Sequence, residues 1–145
     1  FRRVLFRSAE CAKMLGDDKS ELRQYEILFN NYPKHKLSLK AKYLTAQKLV
    51  EEKPQIAKKY FEQIIQYAPN TDYAIASEYY LGLIITNEYK NEKTIPNSVK
   101  DNVQNYFRHY LKKAPSGRLA ISTADNWIKF ADNISQDDYL LLANT

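Results

Sequence analysis

Residues 54–69 read PQIAKKYFEQIIQYAP, and this stretch decides the fold. Its apolar and aromatic side chains are Ile56, Ala57, Tyr60, Phe61, Ile64 and Ile65. They recur in alternating steps of one and three, the signature of one helical face. Pro54 opens the stretch, where a helix leaves the N–H unpaired in any case. Pro69 closes it, because it cannot donate to the helical ladder and it pushes Ala68 out of the helical region.

The last nine residues of that stretch have two counterparts. YEILFNNYP at 25–33, FEQIIQYAP at 61–69 and FRHYLKKAP at 107–115 share one pattern. An aromatic residue comes first: Tyr25, Phe61 and Phe107. Apolar or aromatic residues stand fourth (Leu28, Ile64, Tyr110) and fifth (Phe29, Ile65, Leu111), and proline stands ninth. Past each proline a second helix opens. Leu37, Tyr73 and Leu119 lie four residues on, Leu39, Ile75 and Ile121 six on, and Ala46, Gly82 and Ile128 thirteen on. Small residues at two of these last three positions predict a close helix crossing. The prolines are 36 and 46 residues apart, and the surplus falls in the polar stretch Lys90–Asn97, read as a loop.

The same period extends in both directions. Ala9 to Leu15 read as the last turns of a first helix, with Gly16-Asp17-Asp18 as its turn. A helix follows from Ser20 to Tyr32, started by Asp17, Asp18 and Ser20, and others over 37–52, 54–68 and 72–89. Asn97 or Ser98 is expected to cap the next. A further helix is predicted over 117–134, its apolar side including Ile121, Trp127 and Ile128, and 135–145 begins another or frays. With 145 residues, 44% hydrophobic and 27% charged, the chain has the make-up of one globular domain. Three Gly and five Pro argue against a turn-rich β fold. The single cysteine, Cys11, excludes an intrachain disulfide and a Cys-based zinc site. No apolar run approaches the ~20 residues that cross a bilayer.

The first eight residues, FRRVLFRS, stand apart. The octapeptide resembles one reading frame of a common sequencing adapter and is set aside from the fold as a technical scar. The formal charge of +5 falls to +2 without its three arginines, which weakens the case for nucleic acid. Behind such a scar the chain is expected to be a fragment cut within a repeat, so the lack of a leader says nothing of compartment.

No catalytic pattern emerges. His35 and His109 have no partner at metal-binding spacing and are expected on the surface. Asp17-Asp18, Glu51-Glu52 and Asp137-Asp138 point about a hundred degrees apart on a helix and read as helix-terminal or solvated charge. There is no nucleophile elbow and no Gly-rich phosphate loop. No enzyme, metal or cofactor is expected.

A helix pair of ~34 residues closed by proline resembles the tetratricopeptide repeat. Leu81-Gly82 in a first helix, Ala57 and Phe61 in a second, and the closers Pro69 and Pro115 carry the resemblance, which covers residues 9–134. The early Trp is absent, and Leu81-Gly82 occurs once. The resemblance implies an all-α helical-repeat solenoid of antiparallel helix pairs, about two full repeats with partial units at both ends. It further implies a concave face on the first helix of each pair that binds another protein or a peptide segment. With Ala46, Gly82 and Ile128 in register, that face carries Lys40, Tyr43, Gln47, Tyr79, Leu83, Asn87, Asp125 and Lys129. Tyr43 and Gln47 stand where co-chaperone repeats place Lys and Asn, so their carboxylate clamp is not expected.

The function expected is a non-catalytic protein–protein interaction scaffold. The Tyr-Pro and Ala-Pro closers, followed by Tyr73-Ala74 or Leu119-Ala120, are similar to repeats of outer-membrane assembly lipoproteins and TolA-binding coordinator proteins. That style points to the bacterial periplasm or envelope. One alternative is a sensing or regulatory helical domain of a larger cytosolic protein. Another is nucleic-acid binding through the lysines of residues 34–59, a local +6 interleaved with Tyr43 and Tyr60. These lysines spread around two helices and read better as a solvated exterior.

Overall fold

The computed structural model describes residues 1–131 and 133–145. Among them every regular element is a helix: α1 (Arg2–Met14), α2 (Asp18–Asn31), α3 (Lys36–Glu52), α4 (Pro54–Tyr67), α5 (Asp72–Glu88), α6 (Asn97–Lys113), α7 (Ala120–Phe130) and α8 (Gln136–Ala143). The fold is all-α, built of consecutive antiparallel helix pairs of the helical-repeat kind. The chain divides into two compact units, Phe1–Ile64 and Ile65–Thr145.

Short signals set the helix ends. After α1, Gly16 takes a φ of +72°, a conformation that costs a glycine little. The Gly16 N–H donates to Lys13 and the Asp17 N–H to Ala12, the paired bonds of a Schellman turn. The Asp17 carboxylate then accepts from Ser20 N–H at 3.0 Å and caps α2. Thr71 and Ser135 cap α5 and α8 in the same way. Tyr32, Lys53 and Ala114, each followed by proline, end α2, α3 and α6 with φ from −132° to −140° and ψ of 55–62°. These nearly identical departures are the steric demand of the proline on the residue before it. Lys53 both ends α3 and starts α4, with Pro54 in the first turn. At α6 the expected side-chain cap does not form: Asn97 already belongs to the helix, and Pro96 precedes it without a capping bond.

In the first unit α1 packs on α2 and α2 on α3. Its core gathers Leu5, Ala9, Tyr25, Leu28, Phe29 and Ala41. Leu5, Ala9 and Ala12 are buried at helical spacing. The octapeptide set aside on sequence therefore lies largely in α1, and Phe6 packs on Tyr25 with ring centroids 5.5 Å apart. Edge-on ring pairs join Tyr43 of α3 to Phe61, and Phe29 of α2 to Tyr60 of α4.

In the second unit α5 packs on α6, α6 on α7, and α8 against α6. Phe107, Val103, Leu111 and Trp127 are fully buried at its centre. Gly82 is the close crossing the sequence predicts: a Cβ there would collide with the Phe107 ring. The 117–134 helix is shorter than expected. Its start waits until Ala120, because the turn before it is tied to Tyr110, whose hydroxyl accepts from Leu119 N–H at 3.3 Å. Ala131 is extended and ends the helix. Asp132, also assigned to that helix on sequence, lies outside the described residues. The inward face of α7 also differs. Ala120, Thr123, Ala124 and Trp127 are buried, while Ile121 and Ile128 are 71% and 54% exposed. The bulky Trp127 occupies the core and turns both isoleucines outward.

Candidate functional site

The eight residues placed on the binding face by sequence fall on α3 in the first unit and on α5 and α7 in the second. On α3, Tyr43 is only 8% exposed and accepts from Gln47 Nε2 at 3.2 Å. Lys40 sets its ammonium 5.0 Å above the Phe6 ring. On α5, Tyr79 is 7% exposed and packs among Tyr80, Phe107 and Tyr110. Leu83 is half-buried against the same core. Tyr43 and Tyr79 thus offer most of their ring area to their own units. Asn87, Asp125 and Lys129 are exposed.

Asn87 and Lys129 are brought together. They line a half-open cleft of about 540 Å³ in the second unit. The last turn of α5 supplies Thr86 and Asn87, and the last turns of α7 supply Asn126, Lys129 and Phe130. The connection from α5 to α6 forms the remaining wall with Tyr89, Lys90, Glu92 and Ile95. The size falls within the range of ligand sites, but most of these residues are polar, unlike a typical apolar small-molecule pocket. Sequence reasoning found two of the nine. Four of the others lie on the loop, whose surplus length was visible but whose course was not, and Thr86, Asn126 and Phe130 stand on α5 and α7.

Polar pairs that spacing could not reveal hold the helices around this region and in the first unit. Arg108 on α6 grips Asp138 on α8 through two bonds, Nε to Oδ1 at 2.7 Å and Nη2 to Oδ2 at 2.8 Å. The guanidinium holds the Asp138 carboxyl below its ordinary range, with help from the Ser135 hydroxyl. The same guanidinium lies 5.6 Å above the Trp127 ring. Asp138 is therefore helix-terminal, as expected, but buried rather than solvated. His109 pairs with Glu78. Burial raises the Glu78 carboxyl, and the His109 contact opposes that rise. His35 caps α3, its Nδ1 accepting from Leu37 N–H at 3.2 Å.

In the first unit Lys48 pairs with Asp18 and, at 2.8 Å, with the buried Glu21. Lys42 lies over the Phe29 and Tyr60 rings and donates to Gln63 at 2.9 Å. Burial lowers its ammonium below the ordinary lysine value. Part of the lysine-rich stretch is thus engaged in the unit's own packing.

Among the described residues no three His, Cys, Asp or Glu side chains gather as a metal site. No described helix is long and apolar enough to cross a membrane. No protein-family model matches the chain, and no curated protein matches it. The all-helical fold is consistent with a protein-interaction scaffold in general.

Proposed function

We propose that this protein is a non-catalytic interaction scaffold of the tetratricopeptide type, acting in the bacterial envelope, which holds a segment of a protein partner. The observation that carries the reading is the cleft lined by Asn87 and Lys129. Both are partner-facing on the sequence pattern, and both stand exposed in one concave site. Helical repeats hold their backbones through packing between neighbours, so a side chain at a helix end is presented from a fixed backbone position. Tyr43 and Tyr79 are buried each within its own unit rather than offered to the partner. The envelope assignment is supported by the repeat style, with its Tyr-Pro and Ala-Pro closers.

A photo-reactive amino acid incorporated in cells at position 87 or 129 tests the reading. The same cross-linked protein is expected from both positions, and none from positions 19 and 102, which are exposed elsewhere. No product, or equal products from all four positions, would overturn it. Fractionation of the cross-linked complex tests the compartment: recovery with the envelope is expected, and recovery in the cytosol would move the scaffold there.

A further inference from the structure

The α5–α6 connection, Tyr89–Pro96, is long for its place. The α3–α4 connection is Lys53 alone, and the α1–α2 connection is Leu15–Asp17. A close-packed helix pair needs only a few linking residues. The longer connection is held in place rather than loose. Tyr89 packs on the core of the second unit, the Glu92 N–H donates to the Tyr89 carbonyl at 3.1 Å, and Ile95 is half-buried. Its lining residues face the ends of α5 and α7 and close a volume of about 540 Å³.

The chemistry left free in that space is specific. Lys90, Lys129 and Glu92 have no ion-pair partner among the described residues, so the described lining holds two lysines and one glutamate free to pair. Asn126 spends its Nδ2 on the Ser122 carbonyl at 2.7 Å, leaving Oδ1 to accept. The Asn87 carboxamide makes no hydrogen bond among the described residues. Phe130 and Ile95 supply an apolar surface. Two carboxamides can pair with the N–H and C=O of an extended backbone, two lysines can take a carboxylate, and an aromatic wall can take an apolar side chain.

We infer that the Tyr89–Pro96 connection is a recognition element, and that the cleft it builds with α5 and α7 takes an extended partner segment bearing an acidic side chain beside an apolar one. This rests on the scaffold reading and adds the chemistry of the partner. The mainly polar, half-open lining disfavours a small apolar ligand, and the excess of cations disfavours a basic peptide.

An array of ten-residue Ser/Gly peptides tests this. Each peptide carries one Leu and one Glu at every spacing from one to four, and matched sets replace Glu with Gln or Lys. The full chain is expected to bind the Glu set about fivefold more tightly than the Gln set, the scale of one well-placed ion pair, and the Lys set least. In the Lys90→Glu, Lys129→Glu double variant the order should reverse. Both lysines are exposed, so the variant is expected to fold, which circular dichroism checks. Equal binding of the three sets, no binding, or an unchanged order in the double variant would overturn the inference. A flat array alongside cross-linking at positions 87 and 129 would remove the acidic specificity and leave the scaffold; loss of both would remove the two together.

Discussion

Gly82 and Phe107 fix the α5–α6 crossing by the absence of one carbon. Exchanging Gly82 for Ala would relieve a helix-propensity cost of about 1 kcal/mol. The new Cβ would also strike a ring that is fully buried and cannot swing away. The collision outweighs the gain, so Gly82→Ala is expected to lose about 1–2 kcal/mol net in urea unfolding. Equal or greater stability would mean that the ring relaxes freely. Tyr43→Ala and Tyr79→Ala are each expected to cost about 3–5 kcal/mol, the range for emptying a large aromatic site. Exposed Asn87→Ala and Lys129→Ala should stay within about 0.5 kcal/mol of the parent. The sequence placed all four residues on one face. Period alone shows which residues share a side of a helix, not whether a neighbour covers that side, and here Phe61 and Phe107 lie against the two tyrosines.

Helices and their ends were the most legible level. The prolines at 33, 69 and 115 follow α2, α4 and α6, and the first residue of each nine-residue motif is fully buried. The motif weakens in α7, where Trp127 redirects the inward face, because one large side chain outweighs a register defined by smaller ones. The docking of α8 was not legible, since Arg108 and Asp138 stand thirty residues apart. That pair makes a pH prediction. Arg108 lowers the Asp138 carboxyl below the ordinary aspartate value of 3.8. The resulting stability is fully present above that value and is lost as pH falls through the lower folded value. Trp127, the one tryptophan, lies against Arg108 and reports the change. Its emission should hold steady from neutral pH down to about pH 4 and shift below. Asp138→Asn should cost about 1–3 kcal/mol at neutral pH and flatten the acid dependence, because Arg108 stays partly solvated and softens the loss of its partner. An acid response identical in Asp138→Asn would place its origin elsewhere.

At the scale of the whole molecule, two units each carry a core of their own. The repeat pattern runs straight through the division, since the motif at 61–69 spans it, and periodicity does not record where one set of packing contacts gives way to another. The all-helical class was legible throughout. Of the cleft, Asn87, Lys129 and the surplus length between two prolines were legible; its shape was not, because a loop's course depends on what it packs against. The lysine-rich stretch bears on function at this scale as well. With Lys42 and Lys48 held in the first unit, any binding of single-stranded nucleic acid should be weak and should fall steeply as salt rises from 50 to 200 mM. Tight binding unaffected by salt would contradict that account.

The central claim is that a protein partner is held at the α5–α7 cleft. The most direct measurement is the affinity of the partner captured by cross-linking for the parent chain and for Asn87→Ala, Lys129→Ala together, with folding monitored by circular dichroism. The double variant should bind at least about tenfold more weakly with its helical signal unchanged. Equal affinity in a folded double variant would place the partner elsewhere on the molecule and contradict the account.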